Sequence, residues 1–222
     1  MYNKIFISII IPTYNRENVI CNLIDSLLSQ INQSFEIIVI DDGSTDDTFN
    51  KIKVYKKYKN FYVYKIANSE RGAARNYGAI KSSGNYLNFF DSDDIAKNNH
   101  IDLAIKKINQ FNNPKVIAFS YAYKSIQKVK NIYINGKINN KIFSKNILSC
   151  NGVFIRKDIF NLYKFSENRD LSGSEDWHLW LRLSNKYDIF SFKEITSYIV
   201  DSEDRSMKTQ TFTQINKRIN YF

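Results

Sequence analysis

Tyr86-Leu87-Asn88-Phe89-Phe90-Asp91-Ser92-Asp93-Asp94 is an apolar, aromatic run that stops at three carboxylates within four residues. Its first half reads as a buried strand, because Leu87, Phe89 and Phe90 are apolar and turn signals flank them. Its second half resists burial, because like charges this close repel and desolvating them is costly. A divalent cation resolves that conflict: Mg²⁺ and Mn²⁺ take hard oxygen ligands, and Mg²⁺ is usually held by one or two carboxylates plus substrate phosphates. Taken alone, an Asp-x-Asp is more often a solvated acidic turn ahead of a helix. The rest of the chain decides between the two.

Upstream, Ile5 to Ile11 is a continuous apolar strand of the kind buried on both faces in a parallel sheet, and Pro12-Thr13-Tyr14-Asn15-Arg16 is the loop at its carboxyl end. Val19, Ile20, Leu23, Ile24, Leu27 and Leu28 then recur at helical spacing up to about Gln30. Phe35 to Ile40 is a second buried strand ending in Asp41-Asp42-Gly43-Ser44-Thr45-Asp46, where Thr45 or Asp46 can cap a helix over about 47–58. Phe61 to Ile66 is a third strand. Arg71 to Ala79 opens a further helix that Ser83-Gly84 closes. The alternation of strand and helix argues for a parallel sheet with helices on its faces, where ligands bind at the carboxyl ends of the strands. Three polar clusters fall at such ends: Pro12-Thr13-Tyr14, Asp41-Asp42 and Asp91-Ser92-Asp93.

Downstream the pattern changes. Ile101, Ala104, Ile105 and Ile108 mark a helix, and Val116 to Tyr123 a strand. Residues 124–146 are Lys/Asn-rich and read as a hairpin or mobile loops. Cys150 to Ile155 leads into a helix near Asp158. Ser174 suits an N-cap, which places Glu175 and Asp176 in the first turn of a helix, where the helix dipole favours ionised carboxylates. Trp177, Trp180 and Leu181 turn another face to the core.

At 222 residues the chain can bury one sizeable core, and 43% hydrophobic residues argue against disorder. No run of about 18 apolar residues suggests a membrane span, and Ile5 to Ile11 ends without a signal-peptide cleavage site, so the expected location is cytoplasmic. Cys21 and Cys150 read as two buried thiols. The net charge of +10 suits anionic partners, nucleotides or an acidic membrane face among them. The tail from Arg205 to Phe222 is basic and carries Phe212, Ile215, Ile219 and Phe222 at helical spacing. Such a face packs on its own domain or a partner, or rests on the inner face of the membrane.

The clusters Ile9-Ile10-Ile11-Pro12-Thr13-Tyr14-Asn15-Arg16, Val39-Ile40-Asp41-Asp42-Gly43-Ser44-Thr45-Asp46, Arg71-Gly72-Ala73-Ala74-Arg75-Asn76, Asp91-Ser92-Asp93-Asp94 and Glu175-Asp176 stand in an order that resembles family 2 glycosyltransferases, the large inverting class. The resemblance runs from Ile5 to about Tyr187. It implies an α/β, Rossmann-like GT-A fold in a single domain, with a mixed, mainly parallel central sheet flanked by helices. Residues 1–94 form the nucleotide-binding half, 95–204 the acceptor and catalytic half, and 205–222 a terminal helix or tail. It also implies transfer of a sugar from a nucleotide-sugar, a UDP-sugar by expectation, to a hydroxyl of a growing surface glycan or lipid-linked oligosaccharide. Pro12, Tyr14 and Asp42 then contact the nucleotide base, with Thr13 beside them. Asp91 and Asp93, with Ser92 between, form the Asp-x-Asp motif on Mn²⁺ or Mg²⁺. In this reading Asp93 is on the metal directly and Asp91 acts through the ribose or a water. Arg75 approaches the diphosphate, and Asp176 is the general base. No nucleic-acid partner is expected.

Each residue also has a plainer reading: a turn for Asp42, a solvated helix position for Arg75, a helix-starting charge for Asp176, structural or exposed positions for His100 and His178, and core for Trp177 and Trp180. The chain departs from the family near its end, where Ile199 and Asp201 replace basic types and leave Arg205 or Lys208 to cover the diphosphate. A haloacid dehalogenase-type phosphatase is disfavoured because Ile40 stands where its nucleophilic Asp would be. A sugar nucleotidyltransferase would want a Gly-rich, basic loop after the first strand. A non-catalytic nucleotide- or membrane-binding module fits the charge but gives no reason for carboxylates at strand ends.

Overall fold

The computed structural model describes residues 5–201. The tail from Arg205, with its amphipathic face and with Arg205 and Lys208 themselves, lies outside the described residues. Strands β1 (Ile7–Thr13), β2 (Phe35–Asp41) and β3 (Phe61–Lys65) run parallel, and β4 (Tyr86–Phe89) lies parallel to β1 on its other side. The connections are α1 (Ile20–Leu28), α2 (Thr48–Lys53) and α3 (Arg71–Lys81). After the short β5 (Ile95–Ala96) and α4 (His100–Gln110) come β6 (Val116–Lys124), β7 (Val129–Ile132), β8 (Gly136–Lys137) and α5 (Asn139–Ser144). The chain continues through β9 (Val153–Arg156), α6 (Lys157–Tyr163), α7 (Glu175–Ser184) and β10 (Phe190–Val200). The sheet order is β3-β2-β1-β4-β9-β6-β10-β5, with β7 on β6 and β8 on β10. Strand β9 is antiparallel to both its neighbours, so the sheet is parallel in its first half and mixed in its second.

The apolar strands, interrupted only by the hydrogen-bonded pair Ser8 and Glu36, are explained by two cores. Ile7, Ile9, Ile11, Phe35, Ile37 and Val39 pack with Ile20, Leu23, Ile24 and Leu27 of α1 and Ile101, Ala104 and Ile108 of α4. The alternate residues Ile10, Ile38 and Ile40 meet Ala74 and Ala79 of α3, in a core that extends to Phe160, Phe165 and Trp180. Each fully buried Ile, Leu or Phe contributes about 1.5–3 kcal/mol. Helix α3 lies close to the sheet because Gly78 has no side chain: a Cβ there would stand 2.4 Å from Ile10 Cγ2.

Several expectations shift in detail. The helix expected over 47–58 is α-helical only to Lys53, and Val54–Lys57 is a 3₁₀ turn. Residues 124–146 form a β6–β7 hairpin, the short β8 and α5. Cys150 is buried, but Cys21 is only half-buried. Trp180 is fully buried, whereas Trp177 is half-buried with its Nε1 donating to Ile142 O. His100 is a core residue: it packs on Phe90 and Phe154, its Nε2 lies 3.0 Å from Asn88 Oδ1, and burial pushes its pKa down to about 3, so the ring is neutral. Ser174 occupies the N-cap of α7, yet its hydroxyl caps nothing.

Candidate functional site

Parallel β1, β2 and β4 end on one edge of the sheet, and that edge opens into a cleft of about 410 Å³. Its lining includes Pro12, Thr13, Tyr14, Asp42, Arg75, Asp91, Ser92 and Asp93, eight residues singled out in the sequence, together with Asn15, Arg16, Asn68, Glu70 and Arg71. Asp176 is not among them.

The loops are tied to one another. Asn15 N–H donates to Ser44 Oγ and its Oδ1 accepts from Thr45 N–H, so the β1 and β2 loops hold each other. The adjacent carboxylates divide the work. Asp41 is fully buried, accepts from Ser44 N–H and lies 3.5 Å from Lys65 Nζ. Asp42 faces the cleft; its Oδ1 accepts from Ser69 N–H at 2.8 Å and Ser69 Oγ at 2.9 Å. Burial raises the Asp42 pKa against the lowering effect of those bonds. Thr13 is 2% exposed and its Oγ1 has no hydrogen-bond partner among the described residues. A buried hydroxyl without a partner is costly unless a ligand meets it. Tyr14 is 45% exposed at the mouth.

Helix α3 begins at the cleft. Glu70, just before it, has φ +74°, a strained conformation for a residue with a side chain. Gly72 is required by a close approach, because a Cβ there would meet Ser166 O at 2.4 Å. One turn on, Arg75 is 2% exposed. Its guanidinium donates to Asp91 Oδ1 and to Glu175 Oε1, each at 2.7 Å, and lies over the Phe165 ring. It is therefore not solvated. It joins the Asp91 turn to the start of α7, and Arg71, 3.8 Å from Glu175, is the more exposed guanidinium at the cleft.

Asp176, next to Glu175, accepts from Asn146 Nδ2 at 3.0 Å and from Trp177 N–H. The helix dipole alone would hold it firmly ionised. Burial, and then the Glu175 charge, instead push its pKa up to about 6. Cys150, whose thiol burial raises well above its usual range, sits in the field of Arg75, Asp176, Asp91 and Glu175.

Two residues that the sequence reading leaves unassigned complete the site. Asp94 is 2% exposed; Asn151 Nδ2 donates to its Oδ2 at 2.6 Å and Val200 N–H to its Oδ1 at 2.9 Å. Asn151 is fully buried, and its Oδ1 accepts from Asp91 N–H. One amide thus fixes both ends of Asp91-Ser92-Asp93-Asp94. Nothing local in the sequence marks Asn151, because it reaches Asp91 from 60 residues away. Asn151→Ala removes both bonds and leaves Asp94 Oδ2 without its buried donor, so a loss of about 1–3 kcal/mol is expected, measured by denaturant unfolding. An unchanged unfolding midpoint would contradict this.

Asp91 and Asp93 fit a divalent ion of the Mg²⁺ or Mn²⁺ kind. They lie in one turn on one cleft, and such ions take one or two carboxylates and complete their shell with phosphate and water. No group of three or more His, Cys, Asp or Glu forms a closed metal cage among the described residues.

The family model for glycosyl transferase family 2 matches residues 8–171. An uncharacterized glycosyltransferase of Rickettsia bellii is 34% identical over 189 residues, which are 81% of this chain and 26% of that protein. The Escherichia coli UDP-Glc:alpha-D-GlcNAc-diphosphoundecaprenol beta-1,3-glucosyltransferase WfgD is 29% identical over 184 residues, 80% of this chain and 69% of that one. The chain spans 26–35% of the length of the first curated relatives it matches. Among solved structures, S. aureus TarS 1–349 in complex with UDP-GlcNAc has a TM-score of 0.78 at 23% identity, covering 93% of this chain and 62% of that one. That likeness concerns the fold, a mixed α/β sheet flanked by helices as in GT-A glycosyltransferases.

Proposed function

From a chain that belongs to glycosyl transferase family 2, we propose a metal-dependent, inverting transfer of a sugar from a UDP-sugar to a hydroxyl of a growing surface glycan or lipid-linked oligosaccharide. The observation that carries this reading is the cleft itself, where three strand ends and the start of α3 bring Thr13, Asp42, Arg71, Asp91 and Asp93 onto one space. The nucleotide base lies against Pro12, Tyr14 and Asp42, and Thr13 Oγ1 finds its partner there. The diphosphate lies toward Arg71 and the N-terminus of α3, where backbone N–H groups and the helix dipole favour an anion. Asp93 and Asp91 hold Mn²⁺ or Mg²⁺. A bound ion of this kind supplies Lewis-acid neutralisation of the leaving diphosphate.

The acceptor oxygen attacks the anomeric carbon in line as the bond to the diphosphate oxygen breaks. UDP departs with that bonding pair, the configuration inverts, and the acceptor proton passes to Asp176. Arg75 and Glu175 position the base relative to the Asp91 turn. A UDP-Glc donor and a lipid-diphosphate acceptor stand in the name of WfgD, and UDP-GlcNAc in that of the TarS complex. Those names support UDP as the carrier.

The test is UDP release on mixing the chain with a panel of UDP-sugars. Turnover is expected only with Mn²⁺ or Mg²⁺ present, and Asp93→Asn is expected to lose most of it. Full turnover by extensively dialysed protein in excess EDTA would refute the metal requirement. No helix among the described residues is long and apolar enough to cross a membrane.

A further inference from the structure

We propose that the β6–β7 hairpin is a docking arm for an anionic membrane surface and turns the open edge of the cleft toward the bilayer. Ile117 of β6 shares a row with Phe154 of β9, which in turn faces Asn88 of β4. From that row β6 runs seven residues further to Lys124, roughly 23 Å at strand spacing. Strands β4 and β6 point the same way, since β9 is antiparallel to both, and Lys124 pairs with Val200, whose N–H donates to Asp94 Oδ1, so the root of the arm meets the Asp91 turn and its tip lies at the cleft's own edge.

The arm is an ordered ribbon. Lys124 pairs with Val129 and Tyr123 with Lys130, and the turn is held by Ser125 N–H to Lys128 O at 2.9 Å. Its tip carries one unshielded apolar side chain, Ile126, 105% exposed, with Val129 behind it at 55%. Lys124, Lys128 and Lys130 are exposed around it and form no ion pair among the described residues. Between Asp102 and Asp158 the chain carries eleven Lys and Arg and no acid.

A convex tip with an isoleucine at its end and lysines behind it matches an acidic bilayer, where apolar side chains enter the interface and lysines meet headgroups. A soluble anionic glycan would call for a concave, polar site instead. The chain's own C-terminal segment is a poor cover. It leaves beside the arm, where Asp201 N–H donates to Lys124 O, but from Arg205 on it is itself basic. Both segments seek the same kind of anionic partner.

The proposal deepens the lipid-linked acceptor reading, and its test needs neither donor nor acceptor, so either can fail alone. The full chain is sedimented with vesicles of equimolar phosphatidylglycerol and phosphatidylcholine, or of phosphatidylcholine alone, at low and high salt. Binding is expected only to the anionic vesicles at low salt. Replacing Lys124, Lys128 and Lys130 by Gln should weaken it on the order of 100-fold. The control Lys56→Gln, Lys57→Gln, Lys59→Gln removes equal charge from exposed positions before β3 and should weaken it far less. In Ile126→Trp, emission should shift blue on vesicle addition. No binding, equal loss in the control, an unshifted emission in the Ile126→Trp variant, or loss only on deleting 205–222 would each overturn the proposal.

Discussion

Asp176→Asn is expected to lower sugar transfer by about 10²–10⁴-fold, the usual contribution of a general base. UDP affinity should change little, because Asp176 lies outside the cleft lining. The amide keeps the size of the side chain and can still accept from Trp177 N–H, but it cannot take a proton at neutral pH. A purely structural role at the helix start would cost only about 0.3–1 kcal/mol of stability and leave turnover nearly intact. The pH dependence follows from the raised pKa. The base is deprotonated above about 6 and protonated below it. Transfer should therefore be flat at neutral pH and fall as pH drops through about 6, approaching tenfold per unit. A folded Asp176→Asn variant within a few-fold of wild type would remove Asp176 from the mechanism and make Glu175 the next candidate.

Arg75→Met is expected to destabilise the fold by about 3–5 kcal/mol, because a buried charge loses its 2.7 Å partner and keeps only the more distant Arg71, at 3.8 Å. That charge is Glu175, whose side chain is 4% exposed; Asp91, at 35%, can turn to water. For a chain of this size the midpoint should drop by roughly 6–20 °C. Adding Glu175→Gln should recover part of the loss, since the stranded charge is gone. The diphosphate role implied by family resemblance makes a different prediction: weaker UDP binding with an unchanged midpoint. Measuring both on one sample separates a buried strut from a phosphate ligand.

The first half of the fold was legible because its physics is local. Ile7 to Ile11 and Phe35 to Ile40 are apolar, save Ser8 and Glu36, which hydrogen-bond each other, because both faces of a parallel strand are covered, and the polar residues that follow fall where such strands end. The cleft followed from those ends. Asn151, Asp94 and the Arg75–Glu175 pair were less legible, because their contacts span 57 to 106 residues and leave no periodic trace. Asp176 was singled out by its place at a helix start, but the rise in its pKa was not legible there. The dipole of α7 is visible in the sequence; the desolvation that outweighs it depends on the packing around Asn146 and Glu175. Ser174 illustrates a similar limit, being a good cap by type and an idle one in place.

The account rests most heavily on the cleft taking the nucleotide of the donor, and calorimetric titration of UDP into the chain with Mn²⁺ present tests this most directly. One saturable site is expected, weakened at least about tenfold by Asp42→Ala, through the loss of a hydrogen bond to a charged group, and by Asp93→Asn, through the loss of a metal ligand. Folded wild-type protein that gives no saturable heat with UDP and Mn²⁺, or whose UDP affinity both substitutions leave unchanged, would contradict it.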